Sequence, residues 1–171
     1  MTLVRGQRAV VVDASAAVPF LLGEATWIAA WRAWTTAGAM LLVPAHFGHE
    51  VANALLRSVR VGAPEAMRML DELFSTGVEV ADRGLGGLEG SVALADRHGL
   101  SVYDAAYLDL ALDIDGDLAT LDGPLRAAAE REGVPLLPES NTWAAAGDDP
   151  GFQREMREIG QDLSYVESSP E

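Results

Sequence analysis

Ala9-Val10-Val11-Val12-Asp13 is an apolar, mostly β-branched run that stops on a charge. With no polar residue alternating through it, the run predicts a strand buried on both faces, the kind a parallel sheet covered by helices requires. Outward from it, helical spacing continues to Leu22. A second helical segment then carries Trp27, Trp31 and Trp34 on one face. Met40 to Val43 predicts another buried strand, stopped by Pro44, and a long helix from about Ala45 to Arg60 follows. Pro64 is placed to open a helix running to Ser75, and Val78 to Ala81 reads as a third strand.

A helix across Leu85 to His98 should end at Gly99, and Ser101 should cap the next, which runs to about Leu112 with Asp104 in its first turn. Asp117 to Leu121 and Val134 to Leu137 are the last two strand candidates, with a helix from Leu125 to Arg131 between them. Strands alternating with helices at these lengths predict an α/β domain around a parallel sheet of about five strands.

The chain of 171 residues has room for one domain of ordinary size, and its 49% apolar content supports a packed core. Twelve arginines, no lysine and 26 acids give a net charge of −14, which argues against a simple electrostatic nucleic-acid binder. The absence of lysine removes P-loop and Schiff-base chemistry, and the phosphoaspartyl sites that need a lysine beside them. No cysteine means no disulfide and no thiolate metal site. Arg5 and Arg8 before the apolar stretch imitate a secretion signal. Asp13 in its middle and the lack of a clean cleavage site assign it to a strand, and the expected setting is cytoplasmic, without a membrane span.

The character changes near Pro138. Residues 1–138 are expected to form the domain. Residues 139–171 carry eight acids and two arginines, a net −6, and read as an acidic extension. Within it Phe152, Met156, Ile159 and Leu163 share one face of a possible amphipathic helix that also carries Arg154 and Arg157.

Ligands in an open parallel sheet gather at the carboxyl ends of the strands, near the point where strand order reverses. Asp13 closes the first strand and Asp122 is expected to close the fourth; Asp104 lies in the first turn of a helix, and Glu50 one turn inside another. Four carboxylates at one pocket repel each other unless a cation neutralises them, and hard ions with oxygen ligands, Mg2+ or Mn2+, suit that task. Such a site fits phosphodiester hydrolysis.

Val11-Val-Asp13-Ala-Ser15, Glu50-Val-Ala-Asn53-Ala-Leu55, Ser101-Val-Tyr-Asp104-Ala-Ala-Tyr107-Leu-Asp-Leu-Ala111 and Leu118-Ala-Thr120-Leu-Asp122 together resemble, in order and spacing, the pattern of PIN domains, most closely the VapC-type toxins of toxin–antitoxin pairs. The resemblance covers residues 9 to 138. It implies an α/β/α sandwich and a Mg2+- or Mn2+-dependent endoribonuclease that cuts RNA, forms a homodimer and is paired with a VapB-like antitoxin. Carried over by position, Asp13, Glu50, Asp104 and Asp122 are the metal-binding, catalytic acids. Ser15 and Thr120 would orient a carboxylate or a bound water, and Asn53 would reach substrate or brace Glu50. The eight residues before the first strand and the acidic extension exceed what such toxins usually carry. The rival readings are a nuclease or phosphoesterase with a substrate other than RNA, and a catalytically silent PIN-like interaction module.

Other signals are weaker. Asp113-Ile-Asp115-Gly-Asp117 lacks the spacing of a calcium loop and reads as a turn. The glycines of Gly84-Leu-Gly86-Gly87-Leu-Glu-Gly90 do not make a dinucleotide fingerprint and read as a loop entering a helix. His46 and His49 are one turn apart but not in metalloprotease order. Trp27, Trp31 and Trp34 read as core or interface; partly exposed, they would suit an apolar groove that receives the antitoxin helix. Asp109 falls on another face of its helix from Asp104 and is expected to be solvated.

Overall fold

The computed structural model describes residues 8–138. The postulated amphipathic helix with Arg154 and Arg157 lies outside the described residues. Five parallel strands form the sheet: β1 (Ala9–Val12), β2 (Met40–Pro44), β3 (Val78–Ala81), β4 (Asp117–Ala119) and β5 (Leu136–Leu137), in the spatial order β3-β2-β1-β4-β5. The all-apolar β1 takes the centre and is wholly buried. The alternating Val78-Glu79-Val80-Ala81 takes an edge, where Glu79 and Val80 face water.

The helices are α1 (Ala14–Leu21), α2 (Ala25–Thr36), α3 (Phe47–Arg57), α4 (Ala63–Ser75), α5 (Gly84–His98), α6 (Val102–Asp113) and α7 (Gly123–Glu132). They pack in two groups, α1 to α4 with one another and α5 to α7 with one another, in the α/β/α arrangement expected. α6 lies across β1, β2 and β4 and buries Ala105, Tyr107, Leu108, Leu110 and Ala111. That packing fixes α6 against the sheet, so a polar residue on it is aimed wherever its buried neighbours lock it.

Local chemistry sets most boundaries. Ser101 Oγ accepts from Asp104 N at 3.1 Å and starts α6, while Gly99 ends α5 at φ 68°, a conformation other residues adopt only at a steric cost. Several boundaries differ from expectation, and β5 is cut back from Val134–Leu137 to Leu136–Leu137. Pro44 is the last residue of β2, in register with Ala81, and not the stop after it. α3 is shorter than the periodicity suggests, because residues 45–46 form a turn and Arg60 takes a left-handed φ of 62°. β4 ends at Ala119, so Asp122 does not close a strand; it is the N-cap of α7, its Oδ1 accepting from Leu125 N at 2.7 Å. The glycines from Gly84 to Gly90 lie inside α5 and not in a loop before it.

Candidate active site

Strand order reverses between β1 and β4, so the chain diverges there and leaves a crevice at the carboxyl edge of the sheet. Asp13 stands at that point as the N-cap of α1. Its backbone carbonyl begins the helix, accepting from Ala16 N at 3.0 Å, but its side chain caps nothing. The carboxylate turns toward β4, where Oδ2 accepts from Thr120 Oγ1 at 2.7 Å and from Ser15 Oγ. Ser15 Oγ also accepts from Leu121 N at 2.9 Å, and Thr120 Oγ1 from Asp122 N at 3.0 Å. The two hydroxyls thus tie the start of α1 to the β4–α7 turn and fix Asp13 between them.

Glu50 reaches the crevice from the first turn of α3. Tyr107 on α6, fully buried, donates its hydroxyl to Glu50 Oε2. His46 Nε2 lies 3.5 Å from the same oxygen and has no hydrogen-bond partner among the described residues. Burial lowers the His46 imidazole below its usual value, so it stands beside Glu50 as a neutral ring, edge-on to Tyr103 and Tyr107. Asp104, one helical turn before Tyr107, accepts from Ser101 Oγ at 2.8 Å through Oδ2. Arg126 Nη1 donates to the Thr120 carbonyl at 2.9 Å and steadies the same turn.

The electrostatics show that these acids share one environment. Burial raises the Asp13 carboxyl to about 6, against the pull of Ser15 and Thr120, with further upward pressure from Asp104 and Asp122. Burial raises Glu50 to about 8, and the charges of Asp13 and Asp104 add to it. Asp122 is also raised, by burial. Tyr107 is pushed well above the usual phenol value, first by burial and then by the Glu50 charge, so it remains a donor. Each carboxylate is turned to its own partner, and among the described residues no three His, Asp or Glu side chains converge as ligands of one ion. The donor chemistry nonetheless fits a hard divalent cation: the acids are close enough to raise one another and offer only oxygen donors.

Some predicted residues behave differently. Asn53 accepts from Arg57 Nε at 2.9 Å, one turn further along α3, and Tyr107 holds Glu50 in its place. Trp27 and Trp31 are buried, Trp31 stacking on Phe20 at 4.3 Å and donating to Thr76 Oγ1 at 3.1 Å. They are core residues, and Trp34 is half-buried against both of them. Asp109 is not solvated; it accepts from Arg83 Nη1 with its side chain 13% exposed. Sequence reasoning singled out His46, which the structure sets beside Glu50, and passed over Tyr107 as the partner of Glu50. The signal for Tyr107 was its place one turn after Asp104 on the same face of α6.

A crevice of mutually repelling acids at the switch point of a five-stranded parallel sheet defines a class of protein, and the family profile of the PIN domain matches residues 10–131. The chain belongs to the PIN domain family. Ribonuclease VapC3 of Pyrobaculum aerophilum is 39% identical over 120 residues, covering 67% of this chain and 90% of that protein. A solved structure from the same organism aligns with a TM-score of 0.58 at 25% identity, covering 77% of this chain and 92% of the other. Mycobacterium tuberculosis VapC20, a Sarcin-Ricin loop cleaving toxin, aligns at 0.56 and 24% identity over 70% of this chain and 94% of its own, a likeness of fold.

Proposed function

We propose that the protein is a Mg2+- or Mn2+-dependent endoribonuclease of the VapC type, the toxin of a toxin–antitoxin pair. The observation that carries the reading is the buried acid crevice. Burying charge destabilises a fold, and the burial and mutual repulsion that raise Glu50 to about 8 and Asp13 to about 6 support a site that takes a cation. The similarity to Ribonuclease VapC3 supplies the substrate class.

Asp13, Glu50, Asp104 and Asp122 would hold the cation. When bound, it supplies a Lewis acid for the scissile phosphate and for the attacking water. The chain's own residues do the rest. Ser15 and Thr120 fix the Asp13 carboxylate with two donated hydrogen bonds, so it does not have to reorganise during the reaction. Tyr107 holds one oxygen of Glu50 and leaves the other for the site. His46, neutral, closes the flank of Glu50 against water without placing a competing charge there. With 10 arginines in residues 1–138 and a net charge of −8 there, RNA contact outside the crevice is weak and salt-sensitive.

A homodimer and a basic VapB-like antitoxin complete the proposal. The net charge of −14 favours a basic partner, and no described helix is long and apolar enough to cross a membrane. Incubating the full chain with RNA, DNA and a small phosphodiester, each with Mn2+, tests the substrate class. Cleavage of RNA alone is expected; hydrolysis of DNA or the small ester at an equal rate would move the site to the broader nuclease or phosphoesterase class.

A further inference from the structure

A cavity of about 260 Å3 opens beside the acid crevice, at the carboxyl ends of β2 and β3. Its walls come from the end of β2 and the β2–α3 turn, the end of β3 and the β3–α5 turn, and the facing sides of α5 and α6. Two of them are shared with the acid site. His46 lines the cavity with its ring and reaches Glu50 with Nε2, while Tyr103 lines it one residue before Asp104. Whatever occupies the cavity is therefore a direct neighbour of whatever sits at the acids.

The lining states what that occupant is. Leu88, Val102 and Ala106 make most of it apolar, and Tyr103, 61% exposed, stands at the mouth with its ring against His46. Arg83 is the cavity's cation, but its guanidinium is already committed: Nη1 donates to Asp109, and Nε lies 3.3 Å from Asp113 Oδ2. Asp82 on the same rim adds a negative charge, its Oδ1 accepting from Gly84 N at 3.0 Å. The Arg83–Asp109 pair is built in by shape, since a Cβ at Gly90 would stand 2.2 Å from Asp109 Oδ1. A phosphate meets no uncommitted positive charge here and meets a carboxylate. A neutral, flat, apolar ring meets an aromatic face and aliphatic walls, in a volume somewhat below the ~300–1,000 Å3 that drug-sized ligands occupy.

We propose that this cavity seats one unpaired nucleobase of the RNA, stacked on Tyr103, next to the phosphodiester at the acid crevice. The proposal rests on the ribonuclease reading for the identity of the polymer, and on the cavity itself for the base. It makes Tyr103, Leu88 and Ala106 determinants of base preference at one position beside the cleavage site, and selects single-stranded or looped RNA over a duplex, because a paired base cannot enter.

Two measurements on the full chain test it and separate it from the ribonuclease reading. In the first, methyl NMR follows titration with adenosine, guanosine, cytidine and uridine, each without metal, up to about 10 mM. At least one nucleoside should shift the methyls of Leu88, Val102 and Ala106 and leave Leu22 and Leu56 unmoved. Tyr103→Ala should weaken that binding about tenfold, and Leu88→Trp, which fills the mouth from an exposed position, should abolish it. No shift with any nucleoside, or shifts indifferent to both substitutions, overturns the proposal; shifts with N-acetyltryptophanamide alone reassign the cavity to a side chain of a protein partner. In the second, randomised single-stranded RNA is digested with Mn2+ and the ends sequenced. Tyr103→Ala should flatten the base preference at one position and raise KM far more than it lowers kcat. A preserved preference overturns the proposal even where RNA is cut, whereas a chain that cuts no RNA refutes the ribonuclease reading and leaves the nucleoside titration to decide the cavity.

Discussion

Glu50→Gln should make the metal-free protein more stable while abolishing its activity. In the fold Glu50 titrates near 8 against 4.5 for an unperturbed side chain. At about 1.4 kcal/mol per unit, that displacement is worth at most ~5 kcal/mol, and relaxation and the water-like screening inside real proteins leave about 1–3 kcal/mol. The sign follows from linkage. The folded state holds the Glu50 proton more tightly than the unfolded one, so this group's contribution to stability is full below pH 4.5 and is lost as pH rises through 8. Glutamine keeps an oxygen for the Tyr107 hydroxyl and never ionises, so it escapes the loss. Thermal unfolding in EDTA should therefore show the two proteins together at pH 4 and Glu50→Gln ahead by about 2–12 °C at pH 8. Adding Mn2+ should raise the wild type and reduce the gap, because the cation binds only the folded acids. A difference that does not vary with pH, or a less stable Glu50→Gln at pH 8, would refute the claim that Glu50 is held in the crevice at the expense of stability.

The remaining predictions concern what holds the acids. Asp13 rises from 3.8 to about 6, so Asp13→Asn should show the same pH-dependent gain at lower pH, complete by about pH 7 in metal-free unfolding curves. Tyr107→Phe removes the donor on Glu50 and should raise the Mn2+ dissociation constant about tenfold by calorimetry; unchanged affinity would mean that the hydroxyl only packs. Thr120→Val leaves a buried oxygen of Asp13 short of a donor and Asp122 N short of its acceptor, and should cost about 1–3 kcal/mol in urea unfolding at pH 8, with a smaller loss at pH 4. Asp109→Asn breaks a mostly buried pair with Arg83 and should cost about 1–3 kcal/mol, screened below the fully buried case; a neutral result would show that the pair is not formed in solution.

What could be read from the sequence was whatever short-range chemistry decides. Ala9 to Val12 has no polar face, so its place at the centre of the sheet follows from its composition, and Asp13 at its end follows from the same run. Ser101, Gly99 and Pro64 announce helix boundaries because a cap, a left-handed turn and a fixed φ are local properties. Asp122 was placed at the crevice but for an incomplete reason. Gly123-Pro124 signals a helix start, which makes Asp122 a cap and ends β4 three residues earlier. The pairs that hold the acids meet across the fold: Thr120, expected from the resemblance to orient a carboxylate, finds Asp13 107 residues away, and Tyr107, whose hold on Glu50 was not foreseen, finds it 57 away. Asp109 was misread because helical phase separates it from Asp104 without saying what covers it. Its cover is α5, whose Gly90 admits the carboxylate that a side chain there would exclude.

The acid crevice as a metal-dependent ribonuclease centre is tested most directly by RNA cleavage with Asp13→Asn and Asp104→Asn, beside the wild type with Mg2+ or Mn2+ and with EDTA, after each variant is shown to fold. Both substitutions keep the hydrogen-bonding shape of the side chain and remove its charge. Cleavage by the wild type only with metal, and by neither variant at more than about a hundredth of its rate, is the predicted result. Wild-type rates in either variant, or cleavage undiminished by EDTA, would contradict it.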